Sequence, residues 1–294
     1  MLLTTDQLTK QYGVFRALDA LTLQVPAGEV FGLLGPNGSG KSTTIRLLLG
    51  MIRPSAGSAR IAGLDCWTES VAVRRQVAYL PGELRLYDNL TGRQFVRFLG
   101  ALRGQAYDGD MMRLARRYDI DLDRPIANLS SGMKRKLALM SVMLPRVPLL
   151  ILDEPTNTLD PTMRDELLDQ LLEARGRGQT VLFSSHVLQE VERVCDRVGI
   201  LARGKLVHLQ SMDSLRRARQ ARVHFAAPPT RLPPPGVIVE EHREAHWLLS
   251  CHDQMHDLLG WLSEQQVLDV KIEPLGLERI YQKHHPAAKE ALAP

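Results

Sequence analysis

Gly35, Gly40, Lys41 and Ser42 have the residue types and the spacing of a loop that binds phosphate, G-x-x-x-x-G-K-[ST]. The segment follows an apolar run and precedes a helical pattern, which is the context that this motif requires. Glycines allow the main chain to turn tightly, so that successive N–H groups point at the phosphates of a nucleotide. Lys41 is expected to contact the β- and γ-phosphates, and Ser42 to bind Mg²⁺. The predicted binding residues are Gly35, Pro36, Asn37, Gly38, Ser39, Gly40, Lys41, Ser42 and Thr43.

Two consecutive carboxylates, Asp153 and Glu154, end the apolar run 149–152. Because successive side chains of a strand point in opposite directions, the two carboxylates are predicted to serve different roles. Asp153 is placed to hold Mg²⁺ through water, and Glu154 to orient or deprotonate an attacking water. The pair alone could equally mark the end of a strand, but together with the phosphate loop it indicates nucleotide hydrolysis.

A histidine and a second glycine-containing segment are further candidates. His186 follows the apolar run 181–183, at the predicted carboxyl end of a strand, where nucleotide crevices form in parallel sheets. A histidine after a strand is nevertheless more often structural. In the segment 128–136, NLSSGMKRK, either Ser130 or Ser131 fits a helix N-cap, and apolar residues then recur at helical spacing. By itself the segment is best interpreted as a capped helix, although its amides and Gly132 could bind phosphate.

The elements that must hold these residues alternate between strand and helix. Residues 21–25 and 30–34 are predicted to be strands, followed by a helix from Lys41 to about Leu49. Two later apolar runs, 147–152 and 179–183, each precede a helical pattern, which is typical of parallel βα units. Residues from about 84 to 146 carry apolar side chains at helical spacing among arginines. The sequence therefore predicts an α/β core that encloses a helical subdomain.

The charge of the chain is uneven. The formal net charge is +4, but residues 74–146 hold fourteen Lys or Arg against seven Asp or Glu. This excess fits a solvated helical surface, and it fits equally a face directed at an anionic leaflet or an acidic partner. Charge alone does not choose between them.

The character of the sequence changes after about Leu215. A helix is predicted at about 254–265, and strands are predicted at 222–225, 237–240, 246–250 and 267–272. The proline-rich run 226–236 lies between two of these strands and is predicted to be an extended, stiff loop. The domains are therefore predicted at residues 1–215 and 216–294, and the second is a small α+β domain.

Composition limits the class of protein. With 294 residues, 44% hydrophobic and 24% charged, the chain is expected to be a soluble globular protein of the cytoplasm. Its apolar runs are far shorter than the ~18 residues of a membrane helix, and its start lacks the pattern of a secretory signal. Cys66, Cys195 and Cys251 are far apart and lack a zinc pattern, so they are interpreted as buried or inert thiols.

Taken in order, the motifs resemble those of the ATP-binding cassette (ABC) family, and the resemblance covers about residues 1–215. It implies a P-loop NTPase cassette with an antiparallel β subdomain and a helical insert, and it implies ATP and Mg²⁺ as ligands. Asp153 would be a metal ligand together with Ser42. Glu154 would be the catalytic base, and His186 would contact the γ-phosphate.

The resemblance also implies what the segment 128–136 would bind. The family's signature, Leu-Ser-Gly-Gly-Gln, binds the γ-phosphate held by a second copy of the domain. The resemblance therefore implies a head-to-tail homodimer in which Ser130 and Gly132 of one copy contact the ATP bound beside Lys41 of the other. A residue like Asp160 lies at that interface in the family, and an aromatic at the position of Tyr12 stacks on adenine.

The chain departs from the family pattern in three places. After a segment like YLP the family usually has a glutamine that links the nucleotide to the transmembrane partner, but here Gly82 and Glu83 follow. Glu83 is a candidate substitute, although a carboxylate accepts hydrogen bonds and does not donate them as an amide does. Ser131 and Met133 replace a usual glycine and glutamine of the signature. Thr158 replaces a common glycine.

The segment that starts at Glu273, EPLGLERIYQKHH, is similar to the accessory domain of cassette subunits from drug and polymer exporters. The leading hypothesis is the ATP-binding and ATP-hydrolysing subunit of an exporter. It would lie on the inner face of the membrane, bound to separate transmembrane permease subunits, with no nucleic acid partner. The alternative is a cassette ATPase that acts on ribosomes or DNA, and a P-loop kinase is disfavoured by the carboxylate pair and the signature. The exported substrate would be selected by the membrane subunit.

Overall fold

The computed structural model describes residues 1–284 and divides the chain into two compact units. The first unit is Met1–Leu209, and the second begins at Gln210. The boundary predicted from the sequence, after residue 215, lies six residues further along the chain. Residues 285–294 of the predicted C-terminal domain, including the second histidine of EPLGLERIYQKHH, lie outside the described residues.

The first unit consists of two sheets with helices packed on and between them. Its strands are β1 (Leu3–Tyr12), β2 (Phe15–Val25), β3 (Val30–Leu34), β4 (Ala56–Ile61), β5 (Leu64–Asp65), β6 (Val77–Leu80), β7 (Leu149–Asp153), β8 (Thr180–Ser185), β9 (Arg197–Ala202) and β10 (Lys205–Ser211), the last of which crosses the unit boundary. Its helices are α1 (Lys41–Leu48), α2 (Ser70–Arg75), α3 (Gly92–Arg103), α4 (Asp108–Tyr118), α5 (Ser131–Met143), α6 (Pro161–Gly176) and α7 (Leu188–Val194).

A parallel arrangement of β3, β8, β7 and β6 brings the ends of these strands together. The sheet has the order β10-β9-β3-β8-β7-β6, and its register pairs Leu34 with Ser185 and Asp153 with Ser184. β3 and β7 are buried at every position, because both faces of such a sheet are covered, and this explains their continuous apolar sequences. The segments that follow these strands therefore start side by side.

The antiparallel sheet, in the order β2-β1-β4-β5, is the β subdomain that the family resemblance implies. Helix α1 packs between the two sheets: Ile45 and Leu48 are fully buried in one cluster with Leu18 of β2 and Ile151 of β7. Burying each such side chain stabilises the fold by about 1.5–3 kcal/mol. This packing anchors the start of α1, and with it Lys41, against both sheets.

Helices α3, α4 and α5 form the predicted helical insert. Thr91 and Gln94 begin α3 with a reciprocal capping box, which satisfies main-chain donors that a helix start leaves free. Of the apolar residues at helical spacing, Phe95 and Tyr118 are buried, whereas Phe98 is 41% exposed. The spacing therefore identified the helices but not which apolar residues face the interior.

The second unit has an antiparallel sheet and its own core. Its strands are β11 (Ala218–Phe225), β12 (Val237–Arg243), β13 (His246–His252) and β14 (Val267–Pro274), in the order β12-β13-β11-β14. Its helices are α8 (Met212–Arg217), α9 (Met255–Ser263) and α10 (Leu277–His284). Phe225, Leu249 and Leu258 lie at the centre of this core. The proline-rich run 226–236 connects β11 to β12, as the sequence predicts.

Several elements escaped the sequence analysis, among them β1, β4, β9, β10 and α10. In β1 the reason is local: register shifts interrupt its pairing with β2, and Gln7 has a φ of 46°. Bulges of this kind break the alternation of side chains on which strand prediction depends. Across residues 1–284, no helix combines the length and the apolar character needed to cross a bilayer. Cys66, Cys195 and Cys251 are buried.

Candidate functional site

The phosphate loop connects β3 to α1, and its shape depends on glycine. Gly35 and Gly40 have φ values of 153° and 111°, in the region that residues with a side chain rarely occupy. A Cβ on Gly35 would lie 2.5 Å from Leu201 O, and one on Gly40 would lie 2.9 Å from Ala17 O. The main chain here is therefore too closely packed to accept any larger residue.

A cavity of about 220 Å³ opens beside this loop. It is lined by the loop from Pro36 to Thr43, by Glu154, and by Phe15 and Ala17 of β2. Its floor is the start of α1, where N–H groups and the helix dipole favour an anion. A glycine-walled cavity of this kind fits the phosphates of a nucleotide.

Lys41 directs its ammonium group into the loop. Its side chain is buried, and Nζ donates a hydrogen bond to Gly35 O at 2.6 Å. Nζ also lies 3.4 Å from Glu154 Oε1. The cation is therefore held between the loop that would bind phosphate and the carboxylate that would activate water.

Ser42 and Asp153 are brought together from positions far apart in the sequence. Ser42 Oγ donates to Asp153 Oδ2 at 3.3 Å, and Ser184 Oγ donates to Asp153 Oδ1 at 2.6 Å. A hydroxyl and a carboxylate are the hard oxygen ligands that Mg²⁺ prefers, so this pair fits the predicted metal. Ser42 and Asp153 would hold this Mg²⁺, and its positive charge would offset the negative charge of the phosphates.

Glu154 adopts an unusual main-chain conformation that places its carboxylate beside His186. Its φ is 47°, in the left-handed region that costs a non-glycine residue roughly 1–2 kcal/mol. Its N–H donates to Ser184 Oγ at 2.9 Å, and its Oε2 lies 2.7 Å from His186 Nδ1. A carboxylate oriented in this way can accept a proton from water, and a positioned general base contributes about 10²–10⁴ in rate.

Helix α5 carries the second predicted phosphate site. Ser130 is its N-cap, and Ser130 Oγ accepts a hydrogen bond from the N–H of Met133 at 3.2 Å. Asp160 caps α6 in the same way, accepting from the N–H of Met163 at 2.9 Å. Ser130, Gly132 and Asp160 do not line the phosphate-loop cavity. The structure thus divides the predicted site residues into two groups.

The aromatic residue predicted to stack on adenine, Tyr12, is not the aromatic residue that lines the cavity. Tyr12 ends β1, is half-exposed and lies under the ammonium of Lys10, with Nζ 4.9 Å from the ring centroid. It pairs across the hairpin with Phe15, and Phe15 is the aromatic that lines the cavity. Stacking of Tyr12 on adenine remains a prediction, and Phe15 is a second aromatic that the motif search missed.

The structure shows the surroundings of two departures from the family pattern, one at Thr158 and one at Gly82 and Glu83. Thr158 has a φ of 67°, where a β-branched residue is a genuine outlier and glycine is at ease. The chain therefore holds a strained residue at a position where glycine is common in the family. Gly82 lies next to the predicted metal ligand, since a Cβ on it would be 3.6 Å from Asp153 Oδ2, whereas Glu83 is exposed.

The basic residues after Gly132 have different environments. Lys134 Nζ forms an ion pair with Asp88 at 3.0 Å, and Lys136 Nζ donates to Tyr118 O at 3.1 Å. Arg135 is buried, and burial lowers the pKa of its guanidinium, while Asp153 and Glu154 oppose this shift. Helical spacing offered a signal for Arg135, because it precedes the buried Leu139 by one turn.

Glu190 of α7 is a buried carboxyl group that the sequence analysis did not identify. Its Oε2 accepts hydrogen bonds from Thr156 Oγ1 at 2.9 Å and from Ser185 Oγ at 3.1 Å. Its Oε1 has no hydrogen-bond partner among the described residues. Burial raises the pKa of Glu190, and the two hydroxyl groups act against this rise. The group connects the segment after Glu154 with the segment that carries His186.

Known proteins resemble this chain in sequence and in fold. The family model described as "ABC transporter" matches residues 18–157. The chain is 33% identical over 297 residues to the daunorubicin resistance ATP-binding protein DrrA3 of Streptomyces coeruleorubidus, a match that covers 94% of this chain and 92% of DrrA3. It is 36% identical over 215 residues to the probable multidrug ABC transporter ATP-binding protein YbhF of Escherichia coli (strain K12), which covers 71% of this chain but 37% of YbhF.

The solved structures include one described as the ATP binding subunit of an ABC transporter. It superposes with a TM-score of 0.70 at 33% sequence identity, covering 74% of this chain and 92% of that one. The likeness therefore extends to most of that solved chain, whereas the present chain spans little more than a third of the length of YbhF.

Proposed function

The chain belongs to the ABC transporter family, and we propose that it is the ATP-binding and ATP-hydrolysing subunit of an exporter. The observation that carries the proposal is the meeting of three side chains at the carboxyl ends of the parallel strands. Glu154 lies 3.4 Å from Lys41 Nζ and 2.7 Å from His186 Nδ1. A cation, a base and a histidine are thus held where phosphate would enter the loop.

Each group has a distinct task in the proposed hydrolysis. Lys41 and the main-chain N–H groups of the loop bind the β- and γ-phosphates. Ser42 and Asp153 hold Mg²⁺. Glu154 takes a proton from water while the water oxygen bonds to the γ-phosphorus and the bond to ADP breaks. His186 orients the Glu154 carboxylate and contacts the γ-phosphate.

The second group of residues would complete the site of another copy of the chain. Ser130, Gly132 and Asp160 lie outside the cavity lining of their own phosphate loop, and the first two are at the start of α5, where a helix favours an anion. In a head-to-tail homodimer they would contact the γ-phosphate bound by the second copy. ATP shared between two chains favours the closed dimer by mass action.

Transmembrane subunits are the proposed second partner, at the inner face of the membrane. Support comes from an aromatic pair on the helical insert, Tyr87 and Phe98, which are 53% and 41% exposed and have ring centroids 5.7 Å apart. Two adjacent exposed rings are a candidate contact for such a partner, because contiguous exposed apolar surface is what marks protein–protein interaction sites. The names of DrrA3 and YbhF refer to daunorubicin resistance and to a probable multidrug transporter, and both support export.

Replacing Glu154 with Gln tests the proposal. Glu154→Gln should lower ATP hydrolysis by at least about 100-fold, because the general base is lost, and should leave ATP binding intact. With ATP and Mg²⁺ present, the variant should elute from gel filtration as a dimer. Nucleotide affinity is measured by fluorescent-nucleotide titration.

The matched control is Lys41→Ala in the same Glu154→Gln chain. It should weaken nucleotide binding and leave a monomer at the same ATP concentration, because the phosphates lose their cation. A Glu154→Gln variant that stays monomeric at saturating ATP would contradict the shared site. A variant that hydrolyses ATP at the normal rate would contradict the role of Glu154.

A further inference from the structure

Arg135 of α5 is a buried arginine, one turn after the residues predicted to contact the nucleotide of a second copy. Its side chain is 2% exposed and is among the largest fully buried side chains of the described chain. Burying a guanidinium is costly unless its N–H groups are hydrogen-bonded. Its hydrogen-bond partners therefore indicate what the group holds in place.

The guanidinium binds main-chain carbonyl groups at the ends of two neighbouring strands. After β6, Nη1 donates to Pro81 O at 3.0 Å and to Gly82 O at 3.1 Å. At the end of β7, Nη2 donates to Asp153 O at 3.3 Å and to Glu154 O, and Nε donates to Pro155 O at 3.1 Å. A guanidinium has five N–H groups, so these carbonyl groups match its full donor capacity.

Hydrogen bonds hold the main chain of Glu154 at both its N–H and its carbonyl group. Its N–H is bound by Ser184 Oγ, and its carbonyl by Arg135. Between these two hydrogen bonds lies the left-handed φ of 47°, which non-glycine residues rarely adopt without support. Rotation about the N–Cα bond moves the carbonyl group and Cβ together. A Glu154 that Arg135 no longer holds by its carbonyl could therefore change φ, and its carboxylate would turn away from His186.

The loop after β6 is held in the same way. In this loop the family's usual glutamine is replaced by Gly82, which has no side chain to link the loop to its surroundings. Instead, the guanidinium of Arg135 binds the main-chain carbonyl groups of the loop. Gly82 packs near Asp153 Oδ2, so the arginine ties together two segments that meet at the predicted metal ligand.

We propose that Arg135 is a positioning residue for ATP hydrolysis. By binding the carbonyl groups around Asp153, it holds Glu154 in its left-handed conformation and keeps the carboxylate beside His186. This inference rests on the proposed hydrolytic function. Because Arg135 shares α5 with Ser130 and Gly132, the helix that would meet the nucleotide of a second copy also positions the base of its own site.

The test compares two Arg135 variants with a matched arginine variant, all made in the 294-residue chain. Arg135→Gln should lower kcat at least about tenfold and leave the Kd for ATP within about twofold, because it displaces the base and not the phosphate loop. Arg135→Lys should fall between it and the wild type, because an ammonium group donates from one point and does not span both strand ends. The control is Arg93→Gln, which removes an arginine paired with Asp123 on the same helical insert.

A second measurement does not depend on catalysis. Hydrogen–deuterium exchange of peptides covering residues 81–84 and 154–157, without nucleotide, should be faster in Arg135→Gln than in Arg93→Gln. Arg135→Lys should again be intermediate. Thermal melts of all variants separate this local loosening from a general loss of stability.

Several outcomes would overturn the inference. Arg135→Gln and Arg93→Gln could have the same kcat, or ATP affinity and kcat could fall together with the melting temperature. If Arg135→Gln does not fold, the same comparisons apply to Arg135→Lys. If neither the wild type nor Arg93→Gln hydrolyses ATP, the proposed function fails. Hydrogen–deuterium exchange then tests Arg135 independently: an Arg135→Gln variant with unchanged exchange at residues 81–84 and 154–157 would exclude the positioning role.

Discussion

Glu190 illustrates how a single buried residue links the parts of the site. Its carboxylate accepts hydrogen bonds from Thr156, shortly after Glu154, and from Ser185, directly before His186. Burial raises its pKa from the ordinary value of 4.5, because the charged form is poorly solvated there. The folded protein therefore favours the protonated carboxyl group more than the unfolded chain does, and folding stability becomes dependent on pH.

The sign of this dependence can be tested with Glu190→Gln. In the wild type the free energy of unfolding should fall as pH rises from about 4.5 through the raised folded-state pKa, because ionisation is easier in the unfolded chain. The glutamine does not titrate. The melting temperature of Glu190→Gln relative to the wild type should therefore increase as pH rises from about 4.5, and should level off above the folded-state pKa of Glu190.

The control for this measurement is Asp6→Asn, which removes an exposed carboxylate from β1. Its melting temperature relative to the wild type should change little over the same pH range, since this side chain is in contact with water in the folded protein. A Glu190→Gln difference that is flat, or that decreases with pH, would contradict the assignment of Glu190 as the group responsible.

At the scale of an element, the start of α5 contains a glycine, Gly132, that the conformation of its own chain does not require. A Cβ on Gly132 would meet its nearest neighbour, Thr158 O, at 3.5 Å, which is an ordinary contact. Gly132 has no positive φ, so the helix itself does not require a glycine. In the proposed homodimer, however, the phosphates of a second copy would approach this position closely.

Gly132→Ala should therefore separate folding from hydrolysis. The melting temperature should stay the same or rise, because alanine is the better helix former. Hydrolysis by the dimer should fall at least about tenfold, because the methyl group would displace the phosphates by a fraction of an ångström to an ångström. ATP affinity of a single chain, measured by titration at low protein concentration, should not change.

Gly109→Ala is the matched control for this substitution. Gly109 is the second residue of α4, as Gly132 is of α5, and a Cβ on it would meet no atom within 4 Å. The control should hydrolyse ATP at the wild-type rate. Equal activity in Gly132→Ala and Gly109→Ala would exclude a close approach of a second copy at Gly132.

At the scale of the whole molecule, the division into two units predicts which part of the chain binds nucleotide. Every predicted site residue belongs to Met1–Leu209, and this unit has its own core around α1. The second unit has a separate core around Phe225. We propose that the first unit is the cassette, and the second an accessory domain that nucleotide binding does not need.

A chain truncated after Ser211, at the end of β10, tests this division. It should fold and bind ATP with a Kd within about threefold of that of the full chain, because both the core and the phosphate loop are retained. Circular dichroism checks folding, and fluorescent-nucleotide titration measures binding. A folded truncated chain with a Kd raised tenfold or more would show that residues beyond Ser211 contribute to the nucleotide site.

The sequence was informative where a function depends on the conformation of a short segment. The phosphate loop could be predicted from Gly35 to Ser42, because tight turns require glycine and the loop is contiguous. The helix start at Ser130 could be predicted because an N-cap is a local hydrogen bond. Strands β11 and β12 could be predicted because more buried and more exposed side chains alternate along 221–225 and 237–240.

Only the tertiary structure decided which distant residues meet. Ser184, Glu190 and Arg135 reach the site because β3, β8, β7 and β6 are neighbours in one parallel sheet. The order of strands is a property of the whole core and leaves no trace in a short motif. For the same reason the charge of the segment 128–136 was ambiguous: of three consecutive basic residues, Arg135 alone is buried, because it faces the strand ends whose carbonyl groups satisfy its guanidinium.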